Sequence, residues 1–417
     1  MKKTLLRLRW LVLLLCYCSV SSSAQSWFVQ KNVLHARQQL NLFLEQIPAG
    51  GTVCPNPVHI KTDGSTMFCS YRDWRSGFFP GTLWLAYEMS AEADLLEWAR
   101  RYTESVRPAE QITDNHDIGF IVMCSFGNGL RLTGDSTYAR TIITAARSLS
   151  TRFRPAAGII QSWDVSSGWM SKRGWNCPVI IDNMMNLELL FKATELSGDS
   201  AYYKLAVKHA DRTLKEHFRK DGSCYHVVDY DCRTGRVRSR VTAQGYADES
   251  VWSRGQAWAI YGYTVCYRET GDMRYLNQAL KTFRFMKNHP AMPADAVPYW
   301  DLSVPDISKE PRDASAAACM AAALYELGTM RIKESEECRE YADRIMQSLS
   351  SPAYRAGLGQ NNFFLLRHSV GSIPHHAEVD VPLNYADYYY MEALKRKSVL
   401  EEMECGVERK NHGVHLR

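Results

Sequence analysis

The chain reads as an all-α protein in which six inner helices form a ring inside six outer ones, and three observations lead there. Twelve segments carry apolar residues at helical spacing. Alternate segments differ in kind. The even ones, such as "ESVWSRGQAWAIYGYTVCY", are rich in apolar, aromatic and small residues all round, whereas the odd ones, such as "AYYKLAVKHADRTLKEHF", carry one apolar and one charged face. A helix apolar on every side is buried, and an amphipathic one covers it. Third, G-D-x-x-Y recurs at Gly134-Asp135, Gly198-Asp199 and Gly271-Asp272, with Tyr138, Tyr202 and Tyr275 closing each copy. The offsets of 64 and 73 residues are about two helices plus their connections, the mark of a repeated helix hairpin.

The helical patterns cover residues 30–46, 79–90, 92–107, 118–133, 136–153, 182–197, 200–218, 250–270, 273–288, 312–329, 333–350 and 383–396. In each repeat copy Gly suits the left-handed position that ends the inner helix, and the following Asp suits the cap of the outer one. A closed double ring is one domain, which accounts for residues 25–396 without a linker. The polar tail 397–417 lacks the pattern and is expected to be loose.

Residues 1–24 read differently: a basic start, an apolar run from Trp10 to Cys16, and a small-residue exit at Ser22-Ser23-Ala24. This is the form of a secretory signal, too short to span a membrane. The expected location is outside the cytoplasm, in a bacterial periplasm. Cys16 and Cys18 leave a lipoprotein open, so membrane contact is expected only through a lipid. Removing Lys2, Lys3, Arg7 and Arg9 from a net charge of +5 leaves +1, too little to bind nucleic acid.

Ten cysteines follow the leader. Cys124, Cys266 and Cys319 lie in apolar helical patterns as buried thiols, while Cys224 with Cys232 and Cys54 with Cys69 are candidate pairs in an oxidising compartment. No C-x-x-C pair and no clustered His marks a metal site, so neither metal nor cofactor is expected. Oligomeric state is not legible.

The unusual polar residues gather just before or at the starts of inner helices: His116 and Asp117, Asp182 in "PVIIDNMMNLELLF", "QGYADESVWSRGQAW" (244–258), "PYWDL" (298–302), and "RHSVGSIPHHAEVDVPLNYADYYY". In a double ring those ends share one face, which makes a single crowded mouth the expected site. Each residue alone has a plainer explanation. Asp at a helix start is ordinarily an N-cap worth about 1 kcal/mol. Trp is ordinarily core, and Arg254 could be half of a structural ion pair. Together they exceed what caps require. Trp74, Trp163, Trp252 and Trp258 could offer flat apolar faces, His116, Gln244 and His226 hydrogen bonds, and Arg254 a fork for a carboxylate. That mixture suits an acidic sugar.

These segments resemble the unsaturated glucuronyl hydrolases of glycoside hydrolase family 88. The likeness is carried by "DWRSGFFPGTLWLAYE", "NHDIGF", "IIDNMMNLELLF", "QGYADESVWSRGQAWAIYGYT", "VPYWDL" and "EVDVPLNYADYYYMEAL". It implies an (α/α)6 barrel acting on the 4,5-unsaturated uronic acid at the non-reducing end of lyase-released oligosaccharides. It implies Asp182 as the acid that protonates C4 and then the base that activates water, and Asp117 as a holder of ring hydroxyls that raises the acid's pKa. His116, Gln244, Arg254, Trp74, Trp163, Trp252, Trp258 and His226 match substrate-contacting positions. A helix N-terminus opposes the acid role by favouring carboxylate, so burial and Asp117 must win. One departure concerns the S-x-x-S-x-K motif associated with sulfated substrates: Ser369 and Ser372 are present, but Pro374 replaces the lysine and His375 follows. Two rivals are an unsaturated rhamnogalacturonyl hydrolase acting on pectin fragments and a non-catalytic glycan-binding barrel. An inverting glycosidase would need a carboxylate pair spaced for water.

Overall fold

The computed structural model describes residues 26–47 and 54–413, so the expected leader lies outside the described residues. Among the described residues twelve long helical elements are present beside several short 3-10 turns: α1 (Trp27–Leu44), α2 (Phe78–Ser90), α3 (Ala93–Ser105), α4 (Ile118–Val122, a π turn Met123–Gly127, then Asn128–Thr133) and α5 (Ser136–Ser150). There follow α6 (a 3-10 turn Ile181–Asn186 running into Leu187–Ser197), α7 (Ser200–Glu216), α8 (Ser253–Thr270), α9 (Met273–Asn288), α10 (Ala314–Thr329), α11 (Ser335–Leu349) and α12 (Asn384–Gly413).

The even helices pack in sequence, α2 on α4, α4 on α6, and so on to α12, which returns to α2 and closes the ring. Each odd helix from α3 to α11 lies against the inner helix before it, and α5 also packs on α6. The reason is visible in α10, where every residue from Ala314 to Gly328 is buried and seven are alanines. Ala is the best helix former and lets neighbouring backbones approach closely. By contrast α9 buries only Tyr275, Leu276, Gln278, Ala279, Leu280, Thr282, Phe283 and Met286, one stripe facing inward.

The hairpin repeat is built as its sequence suggests. Gly134, Gly198 and Gly271 end inner helices at φ 67°, 73° and 70°, where a side chain would be strained. Asp135, Asp199 and Asp272 then cap α5, α7 and α9 by accepting the amides of Thr137, Ala201 and Arg274. Tyr138, Tyr202 and Tyr275 are buried beneath the turns.

Two features differ from expectation. The last helix does not stop near residue 396 but continues to Gly413. Ser398 and Leu400 are buried, Lys397 pairs with Asp343 at 2.7 Å, and Glu401 accepts the Ser26 amide at 2.9 Å, tying the chain's end to the start of α1. Charged residues between these anchors masked the apolar period. Among the described residues the connections also hold nine short strands, where the sequence suggests only loops. β1 (Asn56–Ile60) pairs with β2 (Thr66–Cys69), β3 (Phe153–Arg154) with β4 (Ile159–Ile160), and β8 (Ser369–Ser372) with β9 (Ala377–Val381). β5 (Cys177–Ile180), β6 (Val227–Tyr230) and β7 (Val237–Val241) form one antiparallel sheet. Runs of two to five residues are too short to establish an alternation.

All ten described cysteines are free thiols, so neither Cys224–Cys232 nor Cys54–Cys69 is a disulfide; Cys124, Cys266 and Cys319 are buried as expected. A cavity of about 490 Å³ at the end of the inner ring remote from the mouth is lined by Arg131, Glu188, Arg268, Glu326, Glu392 and Arg396. These charges pair with one another or with Glu88, leaving none of them facing the cavity alone.

Candidate active site

The start of α6 packs closely on the start of α4 and on α8, each of which offers a glycine at the contact. A methyl added to Gly119 would lie 2.6 Å from Asn186 Cα, and one on Gly262 would lie 2.5 Å from Met184 Cβ. Asn186 then bridges the two starts, accepting the Phe120 amide at 3.0 Å and donating to Asp117 Oδ1 at 3.4 Å. Asn183 donates to the Ile160 carbonyl at 2.8 Å, fixing α6 to β4. The two amides of "IIDNMMN" are therefore structural, and they leave Asp182 as the free polar group of the segment. Gly119→Ala should cost about 1–3 kcal/mol in thermal unfolding, the usual range for overpacking. It should also reduce turnover, because the displaced helix carries Asp117.

Neither carboxylate is a cap. Asp117 stands at the cap position of α4 and Asp182 in the first turn of α6, and neither helix start has a side-chain cap bond. The contrast with Asp135, Asp199 and Asp272 decides against the plainer explanation. Both side chains are 13% exposed at the floor of the mouth. Burial raises the Asp182 pKa to about 7 against the opposing pull of Arg254, of its own backbone and of the nearby Trp258 indole. Burial raises Asp117 to about 8, helped by the charge of Asp182. The mutual repulsion expected to lift Asp182 is thus expressed on its neighbour, and burial alone overcomes the helix terminus.

The sheet β5–β6–β7 supplies the next residue. β5 leads directly into Asp182, β6 begins just after His226, and the Ile181 amide donates to the His226 carbonyl at 2.9 Å. His226 Nδ1 accepts the amides of Ala243 and Gln244 at 3.1 and 3.2 Å, so the ring proton is on Nε2, which faces Asp182 Oδ2 at 3.7 Å. His116 lies fully buried with Nε2 3.1 Å from Asp117 Oδ1. Burial holds both imidazoles well below their ordinary pKa, so they are neutral hydrogen-bonding groups.

The remaining expected residues fall into two groups. Trp74 and Trp163 are half-buried at the mouth, Trp74 against Tyr385 at 5.1 Å and Trp163 edge-on to His226 at 6.1 Å. Trp252 and Trp258 are buried: Trp252 lies between His226 (4.4 Å) and the Arg254 guanidinium (4.6 Å), and Trp258 packs on Phe120 and Tyr389. They support the floor and do not offer open faces. Arg254 is also interior. It pairs with Asp313 at 3.2 Å, donates to the carbonyls of Val370 and Gly371, and so ties α8 to α10 and β8 while its field reaches Asp182. Gln244 is half-buried and contributes its backbone amide to His226. Ser369 is buried on β8, and Ser372 bonds His375 Nδ1 at 2.7 Å.

Several polar atoms at this floor are buried without a hydrogen-bond partner: Asp182 Oδ2, His226 Nε2, Trp258 Nε1, Ser369 Oγ and Tyr385 Oη. Buried polar groups are ordinarily satisfied, so this concentration marks a surface shaped for a polar ligand. Tyr385, at the start of α12, was not singled out from sequence. It is one of four tyrosines within six residues, and only its place at an inner-helix start distinguishes it. Burial pushes its phenol up to about 12, so it remains a neutral donor.

The sequence profile of Glycosyl Hydrolase Family 88 matches residues 54–401. The chain belongs to this family. An unsaturated glucuronyl hydrolase of Formosa agariphila is 46% identical over 330 residues, 79% of this chain and 81% of that protein. The crystal structure of an unsaturated glucuronyl hydrolase specific for heparin superposes with a TM-score of 0.85 at 43% identity, covering 90% of this chain and 98% of its own. A variant of the Streptococcus agalactiae enzyme complexed with dGlcA-GalNAc6S superposes at 0.71 with 30% identity, covering 89% and 91%. The family-88 protein described here is an unsaturated glucuronyl hydrolase on an (α/α)6 barrel. That enzyme class sets aside the non-catalytic barrel.

Proposed function

We propose that this enzyme is exported and removes the 4,5-unsaturated uronate from the non-reducing end of glycosaminoglycan-derived oligosaccharides by hydrating the C4=C5 vinyl ether. The observation that carries the chemistry is a buried, non-capping carboxyl whose pKa of about 7 leaves it substantially protonated at neutral pH. A general acid works best when poised near the working pH. Asp182 gives its proton to C4, leaving an oxocarbenium shared between C5 and the ring oxygen. Water adds at C5 and returns a proton to Asp182. The resulting hemiketal opens and releases the second sugar from C1, so one water is consumed and the acid is restored. Asp117 and the neutral His116 face the ring hydroxyls, and His226 Nε2 and Tyr385 Oη provide the buried donors.

The test follows loss of the double bond's ultraviolet absorbance on unsaturated chondroitin, hyaluronan and heparin disaccharides. Loss is expected with the unaltered protein; no loss on any of them, nor on an unsaturated pectin disaccharide, would overturn the proposal, and loss on the pectin disaccharide alone would reassign the substrate. The pH profile gives a second check. Because kcat/KM reports the free enzyme, it should fall above about pH 7, approaching tenfold per unit as the raised carboxyl of the general acid Asp182 ionises. Stability should move the same way. The folded pKa values of Asp182 and Asp117 are both raised, so the native state holds more protons than the unfolded chain. That contribution is complete below about pH 4 and is lost as pH rises through 7 to 8.

A further inference from the structure

A wall of rings runs outward from the catalytic floor. Trp163 stacks on Trp175 with centroids 5.8 Å apart and meets Trp169 edge-on at 5.4 Å. Its inner end is the contact of Trp163 with His226; at its outer end Trp169 packs against His375 at 4.8 Å, joining the wall to the turn between β8 and β9. Arg173 lies across this wall, its guanidinium 5.6 Å from the Trp169 ring and 5.3 Å from Trp175. Two aromatic faces orient the cation and reduce the freedom it would lose on binding. It is exposed, and it has no ion pair or side-chain hydrogen bond among the described residues. Nearby Arg152 and Arg238, by contrast, hold Asp164 and Asp229. The Arg173 charge acts on both His226 and His375, so it stands between the catalytic floor and the far side of the mouth. His375 is fixed through Nδ1 on Ser372, which leaves Nε2 as its remaining polar atom. Pro374, in the same turn, offers no cation.

We propose that Arg173, with His375 beside it, binds a sulfate carried by the sugar that is released, and so sets a preference for sulfated disaccharides. The inference rests on the reading that the uronate occupies the floor around Asp182 and His226. The next sugar then extends along the tryptophan wall, with its substituents within reach of the guanidinium. A planar fork held on ring faces suits the oxygens of a sulfate, and the contact is charge-assisted.

The experiment compares two unsaturated disaccharides differing by one sulfate on the hexosamine, using the unaltered protein, Arg173→Gln and Arg173→Lys. Arg173→Gln should lower kcat/KM on the sulfated substrate about tenfold more than on the plain one, chiefly through KM, with Arg173→Lys recovering part of the difference. The advantage of sulfate should shrink as salt is raised from low ionic strength. The same pair is titrated by tryptophan fluorescence into Asp182→Asn with and without Arg173→Gln, which reads binding without turnover. A sulfated-to-plain ratio of KM and of Kd that Arg173→Gln leaves unchanged overturns the inference, even with full turnover. An Arg173-dependent Kd without any turnover keeps it and rejects the catalytic proposal instead.

Discussion

Asp182→Asn should abolish turnover by about a thousandfold or more while leaving the protein folded, the effect expected when an essential general acid is lost. The substitution is nearly isosteric, and the Oδ2 atom it replaces has no hydrogen bond to lose. Ultraviolet assays on unsaturated disaccharides measure the first effect and thermal unfolding across pH the second. Above about pH 7 the variant should be at least as stable as the unaltered protein, since it no longer buries a charge there. Its stability should also depend less on pH between 4 and 8. Near-full turnover would remove Asp182 from the mechanism. A collapse in stability would instead show that the carboxyl supports the fold.

Arg254→Met should act in the opposite way, through the structure first. Asp313 is fully buried and pairs with Arg254, and the carbonyls of Val370 and Gly371 accept from the same guanidinium. Taking away one partner of a buried ion pair strands the other, at a cost of about 3–5 kcal/mol. Denaturant unfolding should show that loss. Turnover should also fall, because β8 carries Ser369 and Ser372 into the mouth and the Arg254 field acts on Asp182. If stability is unchanged while KM alone rises, Arg254 is a substrate ligand and its contacts with Asp313 and β8 are incidental.

These two variants bracket what could be read in advance. Arg254 was legible as a residue of the mouth, and so was its structural alternative, an ion pair. Sequence could not choose between them, because its partner Asp313 lies 59 residues away and meets it only when α8 and α10 pack side by side. Trp252 and Trp258 were legible as aromatic residues at an inner-helix start. That their faces are taken up by His226, Arg254 and Phe120 depends on contacts across the ring. Tyr385 escaped for the same reason: an unsatisfied hydroxyl is a property of what surrounds it.

What the sequence determined by itself is local. Helical period, all-round apolarity against amphipathicity, and the Gly-Asp turns are set by residues within a few positions of one another, and they suffice for twelve helices in two layers and for a mouth at the inner-helix starts. What the tertiary structure decided is pairing and depth. It made Asp117 and Asp182 uncapped and buried, moved their proton affinity toward neutral pH, fixed the His226 tautomer through Ala243 and Gln244, and kept the cysteines apart as thiols. Desolvation and hydrogen-bond satisfaction depend on every atom that closes over a group, and those atoms come from helices up to hundreds of residues apart in the chain.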